Sequence, residues 1–220
     1  MRMLRIVNLL LAVLLLGLAG AASAEKSVST VDGLIAGIER RYHGTGIKAF
    51  FDQESTLKAM DITDTASGAV WFRRPEMMRW EYQTPERQII VSNGVKLWIY
   101  RPEDSQVMVG DASAYFGDGR GASFLSDIRL VKTKFDVQLL ESKDSGFHFV
   151  RLTPLEKSHD LASVRLTIDR TTFDIVEVVT ANVYGDETRI RFNTIQYNQD
   201  LDASLFFFDI PKGVDVIRLD

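Results

Sequence analysis

Cysteine is missing from all 220 residues of this chain. Its absence excludes disulfide bonds, thiolate metal sites and cysteine nucleophiles. It also predicts that the chain is not itself a bacterial lipoprotein, because that class carries its lipid on a cysteine. An exported protein without disulfides must be held together by its core alone.

Histidine is also scarce, with only His43, His148 and His159. They lie far apart and lack the spacing of metal ligands, so we expect ordinary surface or half-buried side chains and no metal site. No Gly-x-Ser-x-Gly elbow is present. The glycines at 117, 119 and 121 do not join a strand to a long helix, so they predict a flexible loop. The sequence therefore predicts no enzyme and no cofactor, although a catalytic pair of carboxylates stays open.

Excess positive charge is absent too. The chain has 26 lysine and arginine residues against 30 aspartate and glutamate residues, for a net charge of −4. A protein that binds the phosphate backbone of a nucleic acid usually carries a basic patch or stripe. The balance therefore excludes nucleic acid as an expected partner.

Long apolar runs are absent except at the N-terminus. Arg2 and Arg5 precede a nearly continuous apolar stretch from Leu9 to Leu18, and Ala22-Ser23-Ala24 has the small-x-small pattern of a signal-peptidase site. A membrane anchor is the alternative, since the wider stretch from Ile6 to Ala22 reaches about the lower length of a span. The cleavage pattern favours a secretory signal peptide over residues 1–24, and the remaining length, 25–220, suits a single domain.

One amphipathic helix is predicted at the start of that domain. Val31, Leu34, Ile35, Ile38 and Tyr42 recur at helical spacing, and glycines at 44 and 46 end the pattern. Such a helix has to bury its apolar stripe against another element, and the following segments are strands.

From residue 47 onward, the apolar period changes to two, which is typical of strands. The Asn93-Gly94 pair between two apolar runs is the strongest hairpin signal. The glycine-rich segment 110–130 predicts a loop with one or two helical turns. A sheet of about ten strands would curl, leaving an open face for the helices to cover. The predicted strands are 47–52, 69–74, 77–82, 87–92, 95–101, 134–141, 146–153, 161–169, 173–181 and 188–197.

Large apolar side chains are concentrated between residues 71 and 100. In the run 77–82, Met78, Trp80 and Tyr82 share one face, while the run 95–100 is apolar on both faces. A sheet that is apolar on both faces needs covering on both sides, or an occupied pocket on one. A plain packed core and a pocket lined by adaptable methionine and aromatic side chains therefore remain alternatives.

The pair Arg73-Arg74 follows one of these apolar strands directly. Two interpretations remain open. Either arginine can be solvated, or its five N–H donors can bind backbone carbonyls of a neighbouring loop and hold a lid against the sheet.

The segment from Gly68 to Pro85 carries an ordered pattern: a glycine, an apolar strand, Arg74-Pro75, the strand Arg79-Trp80-Glu81-Tyr82 and a proline. A hairpin and Leu97-Trp98-Ile99-Tyr100 follow, and the chain ends with Phe206-x-Phe208-x-x-Pro211-x-Gly213-Val214-x-Val216. In this pattern the chain resembles the LolA family of periplasmic outer-membrane lipoprotein carriers. The resemblance is strongest from Gly68 to Val109 and weakest between Gly110 and Gly146.

The resemblance implies a mainly β (α+β) fold, a half-closed antiparallel β-barrel with helices covering its concave face. It implies a periplasmic carrier, expected to be a monomer, that holds lipoprotein acyl chains in a hydrophobic cavity. The acyl chains would come from an inner-membrane ABC lipoprotein-release complex and pass to the outer membrane, where a lipoprotein receptor is a possible partner.

The resemblance also assigns roles to particular residues. Arg74 matches the arginine that latches the family's lid, and the lid of this chain is expected around residues 112–127. Met78 matches a position where an aromatic is common. The residues expected to line the cavity or hold its lid are Arg74, Phe72, Met78, Trp80, Tyr82, Ile90, Trp98 and Tyr100.

Two other functions stay open beside this one. The same scaffold can serve as a periplasmic sensor or regulatory module that binds lipids or peptides, although such regulators usually add a second domain. An enzyme on the scaffold is the remaining alternative.

Overall fold

The computed structural model describes residues 30–44, 46–113, 128, 130–142 and 146–219. The predicted signal peptide, 1–24, and residues 114–127 of the predicted lid lie outside the described residues. Within the described ranges, no helix is both long and apolar enough to cross a bilayer.

Twelve strands in the described residues form one sheet, in the order β12-β6-β5-β4-β3-β2-β1-β11-β10-β9-β8-β7. Neighbouring strands are antiparallel, except that β12 runs parallel to β6. In this part of the chain, no pairing joins the two edge strands, so the sheet is open. The strands are β1 (Gly46–Leu57), β2 (Ile62–Arg73), β3 (Met77–Thr84), β4 (Gln88–Asn93), β5 (Lys96–Arg101), β6 (Gln106–Asp111), β7 (Phe135–Leu140), β8 (Phe147–Pro154), β9 (Ser163–Asp169), β10 (Ile175–Ala181), β11 (Glu187–Tyr197) and β12 (Asp215–Arg218).

Helix α1 (Val31–Arg41) is the longest helix of the described residues. It begins where the side chain of Thr30 accepts a hydrogen bond from the backbone N–H of Gly33, at 3.2 Å. Asp32 in the first turn and Arg41 in the last complement the helix dipole. Two shorter elements are the helix α2 (Leu130–Lys134) and a 3-10 helix (Ala203–Phe206).

The main core lies on one face of the sheet, which we call the concave face. Strands from both halves of the sheet, β1 to β3 and β7 to β11, contribute to a single cluster of buried side chains there. The sheet therefore curls around this cluster, and α1 packs into it through Leu34, Ile35, Ile38 and Tyr42. The predicted fold class, a mainly β half-closed antiparallel barrel, is confirmed.

The predicted hairpin at Asn93-Gly94 is confirmed as the turn between β4 and β5. Gly94 has φ +87, a conformation that favours glycine. The side-chain oxygen of Asn93 accepts hydrogen bonds from the backbone N–H groups of Val95 and Lys96, at 2.9 and 2.7 Å. The turn thus fixes the register that places Ile90 opposite Ile99.

Strand length is where the prediction was least accurate. β1 and β2 each run for 12 residues, well beyond the predicted 47–52 and 69–74, because backbone pairing continues through polar side chains to Leu57 and Ile62. The sequence pattern also missed β6, which lies between β5 and β12.

Candidate functional site

The concave face carries a contiguous group of aromatic side chains. The ring of Trp80 on β3 lies 4.9 Å from Phe51 and 5.8 Å from Phe72, centroid to centroid, both edge-to-face. It also approaches Tyr82 at 6.5 Å and Phe192 of β11 at 6.3 Å. These contacts join β1, β2, β3 and β11 into one apolar wall.

Helix α1 covers part of this wall. Leu34, Ile35 and Ile38 are at most 1% exposed, so the helix is seated in the core. The fit is close at Gly37, where a Cβ atom would lie 2.3 Å from the ring of Phe173. The concave face is therefore covered by packing against a helix, and the sheet does not close over it.

A polar cluster attaches the C-terminal end of α1 to the sheet. The guanidinium of Arg41 donates to both carboxylate oxygens of Asp174, through Nε to Oδ1 and through Nη2 to Oδ2, the latter at 3.2 Å. The hydroxyl of Tyr197 donates to Asp174 Oδ1 at 2.7 Å, and Arg41 Cζ lies 3.8 Å from the centre of the Tyr197 ring. Beside them, the hydroxyl of Tyr42 accepts the backbone N–H of Ile175 at 3.0 Å. We call Arg41, Tyr42, Asp174 and Tyr197 the helix anchor.

Proton affinities in the helix anchor are shifted by burial and by hydrogen bonds. Burial raises the pKa of Tyr42 to about 12. Burial also raises the pKa of Tyr197, with a further contribution from neighbouring Tyr42. The hydrogen bond to Asp174 raises the pKa of Arg41 above its already high ordinary value. The two hydroxyls and the guanidinium therefore keep their protons at neutral pH.

A small apolar cavity lies between the end of α1 and the sheet. Tyr42, Phe72, Phe192 and Ile195 are among its lining residues, and its volume is about 10 Å³. That is room for about one water molecule. In this conformation, the cavity is too small to hold a fatty acyl chain.

The structure brings together five of the eight residues predicted for the cavity and its lid. Phe72, Met78 and Trp80 belong to the concave cluster, and Tyr82 and Ile90 pack against it. The register agrees, since Trp80 pairs with Ile90 and Phe72 with Met78. Their role in binding lipid stays a prediction.

Trp98 and Tyr100 lie apart from that group, on the opposite face of the sheet. They belong to a second cluster with Val91 and Val107, and the C-terminal segment covers them through Phe208 and Val214. The ring of Tyr100 lies 5.2 Å from that of Phe208. The sequence correctly predicted that both faces of β5 are apolar, but the chain's own C-terminal segment covers the second face.

Arg74 lies directly after β2 and is partly buried. It precedes Pro75 at the turn into β3, at the same end of the sheet as the start of the predicted lid, Ala112. The remaining lid residues, 114–127, are outside the described part of the chain. The role of Arg74 as a latch therefore stays a prediction.

His148 is buried, whereas the sequence predicted a surface or half-buried side chain. It is 5% exposed on β8, and among the described residues its Nε2 atom has no hydrogen-bond partner. Burial lowers its pKa below the ordinary value of 6.5, and the nearby charge of Arg170 lowers it further. The neutral ring is therefore the form that fits the fold.

We expect His148 to make stability depend on pH. Because the folded pKa is below 6.5, the unfolded chain holds more protons between the two values, so stability falls as the pH drops below about 6.5. His148→Leu should flatten this dependence and raise the free energy of unfolding at pH 7 by about 1 kcal/mol, since a buried atom without a partner is removed. Urea unfolding at pH 7.5, 6.0 and 5.0 measures both effects. The control variant is His159→Leu, at an exposed histidine. An equal pH dependence in wild type and His148→Leu would contradict the argument.

The described residues contain no group of three histidine, aspartate or glutamate side chains placed to hold a metal ion. What the site offers is an apolar wall, a helix that covers it and a polar anchor at one end of that helix. These features define a class: half-barrels in which an open sheet curls around an apolar core that a helix covers.

Comparison with known proteins identifies the family within this class. The family model described as outer membrane lipoprotein carrier protein LolA matches residues 43–209. The chain is 32% identical to the outer-membrane lipoprotein carrier protein of Methylibium petroleiphilum, over 90% of this chain and 92% of that one. It is 29% identical to the protein of the same name from Nitrosomonas europaea, over 96% of both chains. The chain belongs to the LolA family.

Solved structures agree on the fold. An uncharacterized conserved protein from Thermus thermophilus superposes with a TM-score of 0.55, covering 86% of this chain and 98% of that one. Its sequence is only 14% identical, so the likeness concerns the fold alone.

Proposed function

We propose that this protein carries the acyl chains of lipoproteins across the periplasm, from the inner to the outer membrane, in the hollow beneath α1. The observation that carries the proposal is the apolar wall around Trp80, which is covered by a helix and not by closure of the sheet. The family match supports lipoproteins as the cargo.

The energetics of this task require a large apolar wall. Each CH₂ group moved into water costs about 0.8 kcal/mol, so a chain of roughly sixteen carbons costs on the order of 12 kcal/mol. Buried aromatic and aliphatic side chains on the concave face offset that cost when they contact the chain. Release then needs only a receiver with a better apolar site, and no nucleotide at this step.

Loading requires α1 to leave its seat, because the cavity beside Tyr42 has room for about one water molecule. The helix anchor is suited to a reversible cover. Hydrogen bonds to charged groups contribute about 1.5–3 kcal/mol each, less where water reaches them, as it does the partly exposed Arg41. The free energy of acyl-chain binding can compensate for the loss of a few such bonds.

The same proposal covers the partners and the lid. The protein takes its cargo as a monomer from an inner-membrane ABC lipoprotein-release complex and gives it to an outer-membrane receptor. Arg74 holds the lid segment that follows β6, and its position at the same end of the sheet as Ala112 supports this role. No catalytic step and no cofactor take part.

A covalent tether across the helix anchor tests the proposal. Because the chain has no cysteine, Arg41→Cys/Asp174→Cys adds two thiols that a short bismaleimide can join. We expect the joined protein to take up a triacylated lipopeptide at least tenfold more slowly than the same protein before joining. Loading is measured by displacement of a fluorescent apolar dye.

A matched tether within the sheet is the control. Arg165 and Glu187 also form an ion pair, at 2.9 Å, but both lie on strands. Joining cysteines at these positions should leave loading unchanged. If the α1 tether leaves loading equally unchanged, the hollow beneath α1 is not the carrier site. A protein that loads but never releases cargo to outer-membrane vesicles would favour the sensor alternative.

A further inference from the structure

A second, polar pocket opens at the end of the sheet opposite Arg74. It lies between the β3–β4 turn and the β5–β6 turn, and its volume is about 370 Å³. That size is within the range of small-molecule sites, about 300–1,000 Å³. We call it the mouth pocket and define it by Gln53, Tyr82, Arg87, Arg101, Glu103 and Asp104 among its lining residues.

The inner wall of the mouth pocket continues the apolar wall of the concave face. Tyr82 lines the pocket, and its ring lies 5.0 Å from that of Phe51, in contact with the Trp80 group. Its hydroxyl donates to the side-chain oxygen of Gln53 at 3.0 Å. Tyr82 therefore has its ring in the hydrophobic region and its hydroxyl in the polar one.

The outer wall carries charges of both signs that the protein leaves largely unused. Arg87 and Arg101 are exposed there, and within the described residues neither guanidinium takes part in a hydrogen bond or an ion pair. Glu86, Glu103 and Asp104 line the same wall. The guanidinium groups offer N–H donors and the carboxylates offer acceptors, side by side.

This combination favours a neutral ligand that has both acceptors and donors. Two cations against three anions give no net attraction for a phosphate, so an anionic phospholipid headgroup gains little. Ester and amide carbonyls accept from arginine, and amide N–H groups donate to carboxylates. A lipidated peptide end has these groups and also acyl chains that can continue along Tyr82 into the hollow.

We propose that the mouth pocket binds the ester and amide groups at the lipidated N-terminal end of the cargo lipoprotein, with the acyl chains running inward past Tyr82. This inference rests on the proposed carrier function. It makes the pocket the part of the site that distinguishes a lipoprotein from other acylated molecules.

The test compares three ligands on one pair of variants. The probes are a tripalmitoylated cysteinyl-seryl-serine amide, dipalmitoyl phosphatidylglycerol and palmitate, each kept below its micelle-forming concentration and measured by dye displacement. Arg87→Gln/Arg101→Gln should bind the lipopeptide about tenfold more weakly and bind palmitate as the wild type does. Arg151→Gln, an exposed arginine on β8, is the matched control and should change neither affinity.

Wild-type protein should also prefer the lipopeptide to phosphatidylglycerol by about tenfold or more. Unchanged lipopeptide affinity in the double variant, or an equal loss for lipopeptide and palmitate, overturns the inference while leaving the carrier function standing. Equal wild-type affinity for lipopeptide and phosphatidylglycerol also overturns it. If wild type binds none of the three probes, the carrier function itself fails, and the mouth pocket proposal fails with it.

Discussion

Replacing Trp80 with alanine is expected to lower the free energy of unfolding by about 3–5 kcal/mol. The side chain is 3% exposed and contacts the rings of Phe51, Phe72, Tyr82 and Phe192. Its removal leaves a cavity where strands from both halves of the sheet meet, and these strands cannot close the gap without breaking their pairing. Urea unfolding followed by circular dichroism measures the change as a lower midpoint with an unchanged slope.

Trp71 is the matched control for this prediction. It lies on the neighbouring strand β2 but points to the other face, is only half-buried, and has Lys48 Nζ 5.7 Å from its ring centre. Trp71→Ala loses this cation–π contact and some buried area, so we expect about 1 kcal/mol. Equal losses for Trp80→Ala and Trp71→Ala would show that the concave wall is not a packed cluster.

Gly68→Ala is expected to destabilise the protein by about 3 kcal/mol, although it adds a single methyl group. A Cβ at this position would lie 2.0 Å from the backbone carbonyl oxygen of Glu81. The β2–β3 register shifts between Ser67 and Gly68, and this irregularity brings the carbonyl close. Backbone of two paired strands would have to separate, since no flexible side chain can give way. Thermal unfolding of the purified variant measures the loss.

Gly213→Ala separates the effect of this clash from that of glycine flexibility. Gly213 has φ +81, and among the described residues no atom lies within 4 Å of the place that a Cβ would take. Alanine there meets only backbone strain, about 1 kcal/mol. We expect Gly213→Ala to fold normally with a slightly lower melting temperature. A Gly68→Ala protein as stable as Gly213→Ala would contradict the close strand approach.

The helix anchor could not be predicted from the sequence, because its residues lie far apart along the chain. Arg41 and Asp174 are 133 residues apart, and each belongs to a common pattern when taken alone. Arg41 is a polar residue off the apolar stripe of a helix, and Asp174 follows a turn. No local pattern records that α1 ends above the start of β10, so the pair becomes visible only when the chain is folded.

Local physical chemistry was sufficient to predict those elements whose sequence signals lie within a few residues of one another. The helical stripe from Val31 to Tyr42 predicted α1, Asn93-Gly94 predicted the β4–β5 turn, and alternation placed Met78, Trp80 and Tyr82 on one face. These features depend on backbone conformations and periodicities that neighbouring side chains determine. The order of the motifs along most of residues 25–220 predicted the family, which the comparison confirmed.

Tertiary structure decided which element covers each apolar face. A strand that is apolar on both faces, such as β5, has to be covered on both sides, but its own residues do not determine which elements cover it. The C-terminal segment covers Trp98 and Tyr100, and the concave core forms around Trp80 beneath α1. The reason is physical: burial of apolar surface is non-directional, so a sequence determines that a side chain is buried, and only the folded chain determines its partner.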